Sequence, residues 1–308
     1  LKGMRVVESS AFVAVPLAGM TLAQMGADVI RFDRIEGGLD INRWPISKDG
    51  KSHFWSGMNK GKRSIAVNMR TKEGKELITR IITAPGGDAG LFISNLRVRG
   101  WLDYKNLTKY RKDLIMVTLT GDRSGRPAVD YTVNPSIGIP NITGPEGHPD
   151  PIASALPAWD LIAGNLVVSA LLAAERRRLR CGLGDDVELA LKDVAAAMIG
   201  NLGMLGEAAT ASKQRGKAGN DLYGAYGHDF VCADGQRIIV IGLTERQWKL
   251  IVQVTGSAEA MSKLENETGL SLRLEANRWK LRGRISELLE PWFSNRKISD
   301  FSNDFQNE

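Results

Sequence analysis

Cysteine is scarce. Only Cys181 and Cys232 occur in 308 residues, far apart and in no Cys-x-x-Cys arrangement. That spacing excludes a disulfide framework or a thiolate zinc site and fits a reducing compartment. The three histidines, His53, His148 and His228, stand alone; none has metal-ligand spacing, so no metal is expected. No apolar run reaches about 18 residues without a charge, so no membrane span is expected. The N-terminus lacks the basic-then-apolar layout of a signal peptide. These absences together point to a cytoplasmic protein without a membrane partner. The net charge is only +6, with no block of five basic residues, which argues against nucleic acid as a partner. Familiar nucleotide and hydrolase motifs are also missing. The turn after the first strand reads SSAFVAVP rather than G-x-G-x-x-G, GMNKGKRS (57–64) falls short of a Walker A loop, and no G-x-S-x-G occurs.

What is present alternates. MRVVESS (4–10) reads as a buried strand, and PLAGMTLAQMGA (16–27) as a helix opened by Pro16 and closed by Gly26. DVIRFD (28–33) follows as a strand. Further strands are expected at 63–69, 88–96, 114–121 and 186–190, and helices at 71–83, 161–179 and 191–209. Strand–helix–strand units of this kind predict an α/β fold with an open, Rossmann-like parallel sheet. A Gly/Pro-rich loop spans 135–151. Past the polar stretch after 209, FVCADGQRIIVIGL (230–243) predicts a hairpin about Asp234-Gly235, followed by helices at 244–256 and about 278–293. The expected layout is a large α/β domain (1–208), a linker (209–222) and a smaller α+β domain (223–308).

Two groups of residues invite chemistry. In NKGKRS, Lys60, Lys62 and Arg63 flank a glycine turn. They suit either phosphate binding or a solvated charged turn. Asp160 stands before the apolar run LIAGNLVVSALLAA. Asp is a favoured N-cap, and a carboxylate at an apolar helix edge is also placed to act as a nucleophile. By pattern alone capping is favoured, and both readings stay open.

In this order, LKGMRVVE, GMTLAQMGADVIRFD, NKGKRSIAVNMRTKEGKEL, LFISNL and LLAAERRRLRCGLGDDVELALKDVA resemble the class III (family III) CoA-transferases over nearly the whole chain. RGWLDY, AVDYTVN, LPAWD and GNDLYGAYG are similar to a branch of that family that moves CoA from the C1 to the C4 carboxyl of mesaconyl-CoA. The resemblance implies that Asp160 is the nucleophile and passes through an aspartyl-CoA thioester. It implies CoA contacts at Arg34, Lys62, Arg63, Asn95 and Leu96, and backbone donors at Val13, Ala14 and Val15. CoA enters as part of the substrate, with no resident cofactor, and the family forms interlocked homodimers. Val13 stands where formyl-CoA transferases carry Gln, and GNDLYGAYG replaces their glycine-rich loop. Asn220, Asp221 and Tyr223 are therefore expected to shape a different acyl pocket. Family racemases place a His before the second Asp; here Val129 precedes Asp130, so racemase chemistry lacks its base. The alternatives are an intermolecular acyl-CoA:carboxylate transferase and a non-catalytic CoA-binding chain. The resemblance also implies a C-terminal segment returning to the large domain, which a chain ending in FSNDFQNE would lack.

Overall fold

The computed structural model describes residues 1–96 and 99–302. The last six residues of the expected small domain, within FSNDFQNE, lie outside the described residues. In chain order the first elements are β1 (Arg5–Ser9), α1 (Ala14–Gln24), β2 (Asp28–Asp33), α2 (His53–Met58), β3 (Arg63–Ala66), α3 (Lys72–Ile82), β4 (Leu91–Ser94), α4 (Tyr104–Leu107), β5 (Ile115–Thr120), α5 (Asp130–Ser136), α6 (Ile139–Ile142), α7 (Ala158–Cys181), β6 (Asp185–Ala190), α8 (Leu191–Asn201) and α9 (Met204–Thr210). They are followed by β7 (Tyr226–Val231), β8 (Arg237–Gly242), α10 (Glu245–Val254), α11 (Ala258–Thr268), α12 (Glu275–Lys280) and α13 (Arg282–Ser294).

The chain divides into two units: 1–139 with 153–213, and 140–152 with 214–308. The excursion of 140–152 into the second unit is a feature that the expected division at 209–222 does not contain.

The first unit is built on a six-stranded, wholly parallel sheet in the order β3-β2-β1-β4-β5-β6. This is the doubly wound order, which opens a crevice outside the carboxyl ends of β1 and β4. The strands are apolar on both faces because helices cover both. Val6 points into one core with Leu91, Ile93 and the helices α1, α7 and α8. Its neighbour Val7 points the other way, to Phe92, Ile78 and Ile82. In α7 the buried positions Ala163, Val167, Val168, Leu171, Ala174 and Arg178 recur at helical spacing. By length and composition α7 could cross a membrane, yet this stripe belongs to the core against the sheet. Arg178, the last of three consecutive arginines, is buried and donates to the carbonyls of Gly87 and Ala89; it ties the end of the helix to the loop before β4. The other two are solvent-exposed.

The helix expected over 191–209 is two helices, α8 and α9, parted at Gly203, whose φ of 77° suits glycine. In the second unit the antiparallel pair β7–β8 packs on α10, α11 and α13 through Tyr226, Phe230, Trp248, Leu264 and Phe293. α11 was not expected: AEAMSKLENET is polar apart from Met261 and Leu264, which are buried.

Candidate active site

The turn between β1 and α1 is pinned by side chains from outside it. Asn95, at the end of β4, accepts the Ala11 N–H and donates to the Ala11 carbonyl, at 2.9 and 2.8 Å. Asp40 accepts the Phe12 N–H at 2.8 Å. Phe12 is thereby held at φ 67°, a left-handed backbone that costs a bulky residue on the order of 1 kcal/mol or more. The next three N–H groups, of Val13, Ala14 and Val15, open α1. Among the described residues they have no acceptor. A helix N-terminus with free N–H groups favours developing negative charge.

Asp160 lies in the first turn of α7 and does not cap it, which corrects the capping reading. The helix begins three residues earlier than expected, and its cap position is Pro157, which has no side-chain acceptor. The acceptor comes from α5 instead. Asp130 Oδ2 takes the N–H groups of Trp159 and Asp160 at 2.8 and 3.2 Å. The Trp159 indole N–H donates to Asn134 Oδ1 at 2.9 Å, closing the clip. This function of Asp130 could not be read from spacing, because capping partners 30 residues apart leave no local pattern.

With its own N–H so engaged, the Asp160 side chain is free: its carboxylate accepts no hydrogen bond among the described residues. Burial, and then the neighbouring Asp130 carboxylate, push its pKa up to about 6, while Arg43 pulls it down. A half-buried carboxylate with no partner among the described residues has the environment that suits a nucleophile.

Asp160 lines a cleft of about 560 Å³ at the carboxyl edge of the sheet, with Phe12, Val13, Asn95, Leu96 and Leu119. Of the expected backbone donors only Val13 lines it; Ala14 and Val15 are buried. Val129 also lines it, so no histidine stands there to take a proton. A second cleft of equal volume shares Asn95 and Leu119. Among the described residues its walls carry Asp103, Asp122, Asp186 and Glu188 against one arginine, Arg126, a poor seat for an anionic ligand.

The expected phosphate contacts are dispersed. Arg34 is exposed just after β2, at the carboxyl edge. Lys62 is not available: its side chain is 2% exposed, and its ammonium donates to Glu8, the Pro16 carbonyl and Asn59, each at 2.8 Å. Arg63 starts β3, at the amino edge of the sheet opposite the crevice, and pairs with Asp28. Asn220, Asp221 and Tyr223 belong to the second unit. There Asp221 bonds His228 and Arg282, Asn220 bonds Asp229, and Tyr223 packs edge-on to Trp279. Among the described residues no group of three His, Cys, Asp or Glu is placed to hold a metal.

The sequence profile of CoA-transferase family III matches residues 1–308. The chain belongs to that family. It is 53% identical over 307 residues to 2-methylfumaryl-CoA isomerase of Chloroflexus aurantiacus, covering 99% of this chain and 75% of that protein. Succinyl-CoA:mesaconate CoA-transferase of Haloarcula marismortui is 26% identical, over 93% of this chain and 74% of that protein. Among solved structures, a CaiB/BaiF family protein from Brucella suis superposes with a TM-score of 0.78 at 27% identity, covering 97% of this chain and 79% of that one.

The N-terminal parts of α1 and α7 lie close together. α7 approaches α1 at Gly164, where a Cβ would lie 2.5 Å from the Ala14 carbonyl oxygen. Gly164→Ala must therefore push the helices apart, at about 1–3 kcal/mol. We expect a lower thermal midpoint together with a kcat loss larger than any KM change. A variant with normal kcat would show that the α1–α7 spacing does not matter to catalysis.

Proposed function

We propose that the chain moves CoA between the two carboxyl groups of one substrate, converting the C1 thioester of 2-methylfumarate (mesaconate) into the C4 thioester through Asp160. The observation that carries this is the Asp160 carboxylate, without a hydrogen-bond partner among the described residues, in a cleft that Val13 at the start of α1 also lines. The 53% identity to an isomerase of that substrate supports the choice of acyl group.

Four acyl transfers complete the reaction. The Asp160 carboxylate attacks the C1 thioester carbonyl, forming an acyl–aspartyl anhydride and releasing CoA thiolate. The thiolate attacks the aspartyl carbonyl, giving an Asp160–CoA thioester and the free dicarboxylate. The C4 carboxylate attacks that thioester, forming the second anhydride and thiolate again. The thiolate attacks the C4 carbonyl, giving the C4 thioester and restoring the Asp160 carboxylate. No proton, water or ATP is consumed. Each step passes through a tetrahedral oxyanion, whose stabilisation this reading gives to the Val13 N–H, the one expected donor whose residue lines the cleft. CoA is thus part of the substrate rather than a resident cofactor. A homodimer in the cytoplasm, without nucleic-acid or membrane partners, completes the reading.

Mesaconyl-C1-CoA incubated with the protein alone should convert to the C4 isomer. Intact mass during turnover should show a CoA adduct on Asp160 that hydroxylamine removes. Conversion only after addition of a free acid would instead favour the intermolecular transferase. CoA binding without exchange or adduct would favour the non-catalytic chain.

A further inference from the structure

Among the described residues, Arg43 is the only basic one lining the Asp160 cleft. Its backbone is fixed at both ends, since its N–H donates to the Asp40 carbonyl and its carbonyl accepts from Ser52. Its guanidinium carbon lies 5.5 Å from the centre of the Phe12 ring and 5.1 Å from that of Phe54. Asp40 thus holds both Phe12 and Arg43, and the aromatic pair sets the guanidinium. Among the described residues those N–H groups have no hydrogen-bond acceptor. A fork of unspent donors oriented by two rings, in a cleft whose other charges among the described residues are Asp130 and Asp160, is built to receive an anion.

We propose that Arg43 is the specificity residue for the second carboxylate of the substrate, and that it retains the free dicarboxylate between the two halves of the reaction. This rests on the reading of Asp160 as the nucleophile. Once the Asp160–CoA thioester has formed, the acid in the cleft carries two negative charges and no covalent tether. Beside the Asp130 carboxylate it would leave, and transfer would become intermolecular. A planar guanidinium takes either carboxylate in the same bidentate manner. It therefore suits an acid whose two ends must exchange roles. Arg43 is solvent-accessible, so its effect is smaller than that of a fully buried pair.

The test uses Arg43→Gln and Arg43→Lys with mesaconyl-C1-CoA and isotopically labelled mesaconate in solution. Wild type should return unlabelled C4 product. Arg43→Gln should incorporate label, and its preference for mesaconyl-CoA over the monocarboxylic crotonyl-CoA in forming the Asp160 adduct should fall on the order of 100-fold. Arg43→Lys, which keeps a point charge without the fork, should leak label to an intermediate extent and covers the case in which the Gln variant does not fold. Unlabelled product and unchanged preference in a folded Arg43 variant would overturn the assignment. Labelled product from wild type, with a normal adduct, would overturn the retention role while leaving the nucleophile intact. Absence of any wild-type adduct would remove the Asp160 reading and this one with it.

Discussion

Asp160→Asn should abolish CoA transfer and at the same time stabilise the protein at neutral pH. Removing a nucleophile that forms the covalent intermediate costs kcat about 10⁴-fold or more. Asp160→Ala controls for slow deamidation and should be equally inactive. The stability gain follows from the same burial that activates the carboxylate. Its pKa is near 6 in the folded protein against 3.8 for an ordinary Asp. Between those values the folded state holds the proton more tightly than the unfolded state, so stability falls as pH rises through the window. Above pH 6 the penalty is complete, and two units correspond to about 1–3 kcal/mol for a half-buried group. Below about pH 4 both states are protonated and the penalty is gone. Melting curves of wild type and Asp160→Asn should therefore converge at low pH and separate at pH 7, with the variant higher. The rate kcat/KM of wild type should rise through pH 6 as the attacking carboxylate forms. A variant no more stable than wild type at pH 7 would mean that Asp160 is not strained by burial, and its activation would need another cause.

The sheet was legible because burial on both faces leaves its mark in short apolar strands such as VVES and LFIS, spaced by helices with one apolar stripe. The doubly wound order follows from those crossovers. α11 was missed because two buried residues in eleven make no stripe. The excursion of 140–152 was missed because it is secured by single long-range bonds, such as Gly219 N–H to the Gly144 carbonyl and Arg282 to Glu146. The site was less legible than the fold. Spacing alone favoured Asp160 as a cap, and only the family resemblance raised it to a nucleophile. The actual cap, Asp130, acts across 30 residues. Arg43 lies in a segment, 40–58, with no regular period, and the role proposed for it rests on Phe12 and Phe54 meeting around it. NKGKRS misled in the opposite direction, since a cation followed by a strand looks the same whether it faces solvent or an internal carboxylate.

That last ambiguity has a large measurable consequence. Lys62→Met should lower stability by about 3–5 kcal/mol, because it strips the partner from a buried acid. Glu8 is fully buried, and its Oε1 accepts Lys62 at 2.8 Å and lies 3.9 Å from Arg31. Its Oε2 has no hydrogen-bond partner among the described residues. Gly19 sits directly over that oxygen, so close that a Cβ there would lie 1.7 Å away. Burial pushes the Glu8 carboxyl up and the Lys62 ammonium down, while each partner pulls the other back toward its charged form. The pair is therefore poised, and losing Lys62 leaves the buried Glu8 carboxylate with only the Ser10 hydroxyl, which donates to Oε1, and the more distant Arg31 to offset its charge. If Lys62 held a CoA phosphate, the same substitution would raise KM for acyl-CoA and weaken its salt dependence, with little effect on folding. The structure predicts the reverse: a much lower denaturation midpoint, with KM of the surviving folded fraction within about 3-fold of wild type, since Lys62 contacts no part of the cleft. Glu8→Gln in the Lys62→Met background should recover much of the loss, because a neutral amide no longer needs the ammonium, and the double-mutant cycle should show strong coupling. A large KM increase without loss of stability would return Lys62 to the phosphate and leave Glu8 to be balanced by Arg31 and Ser10.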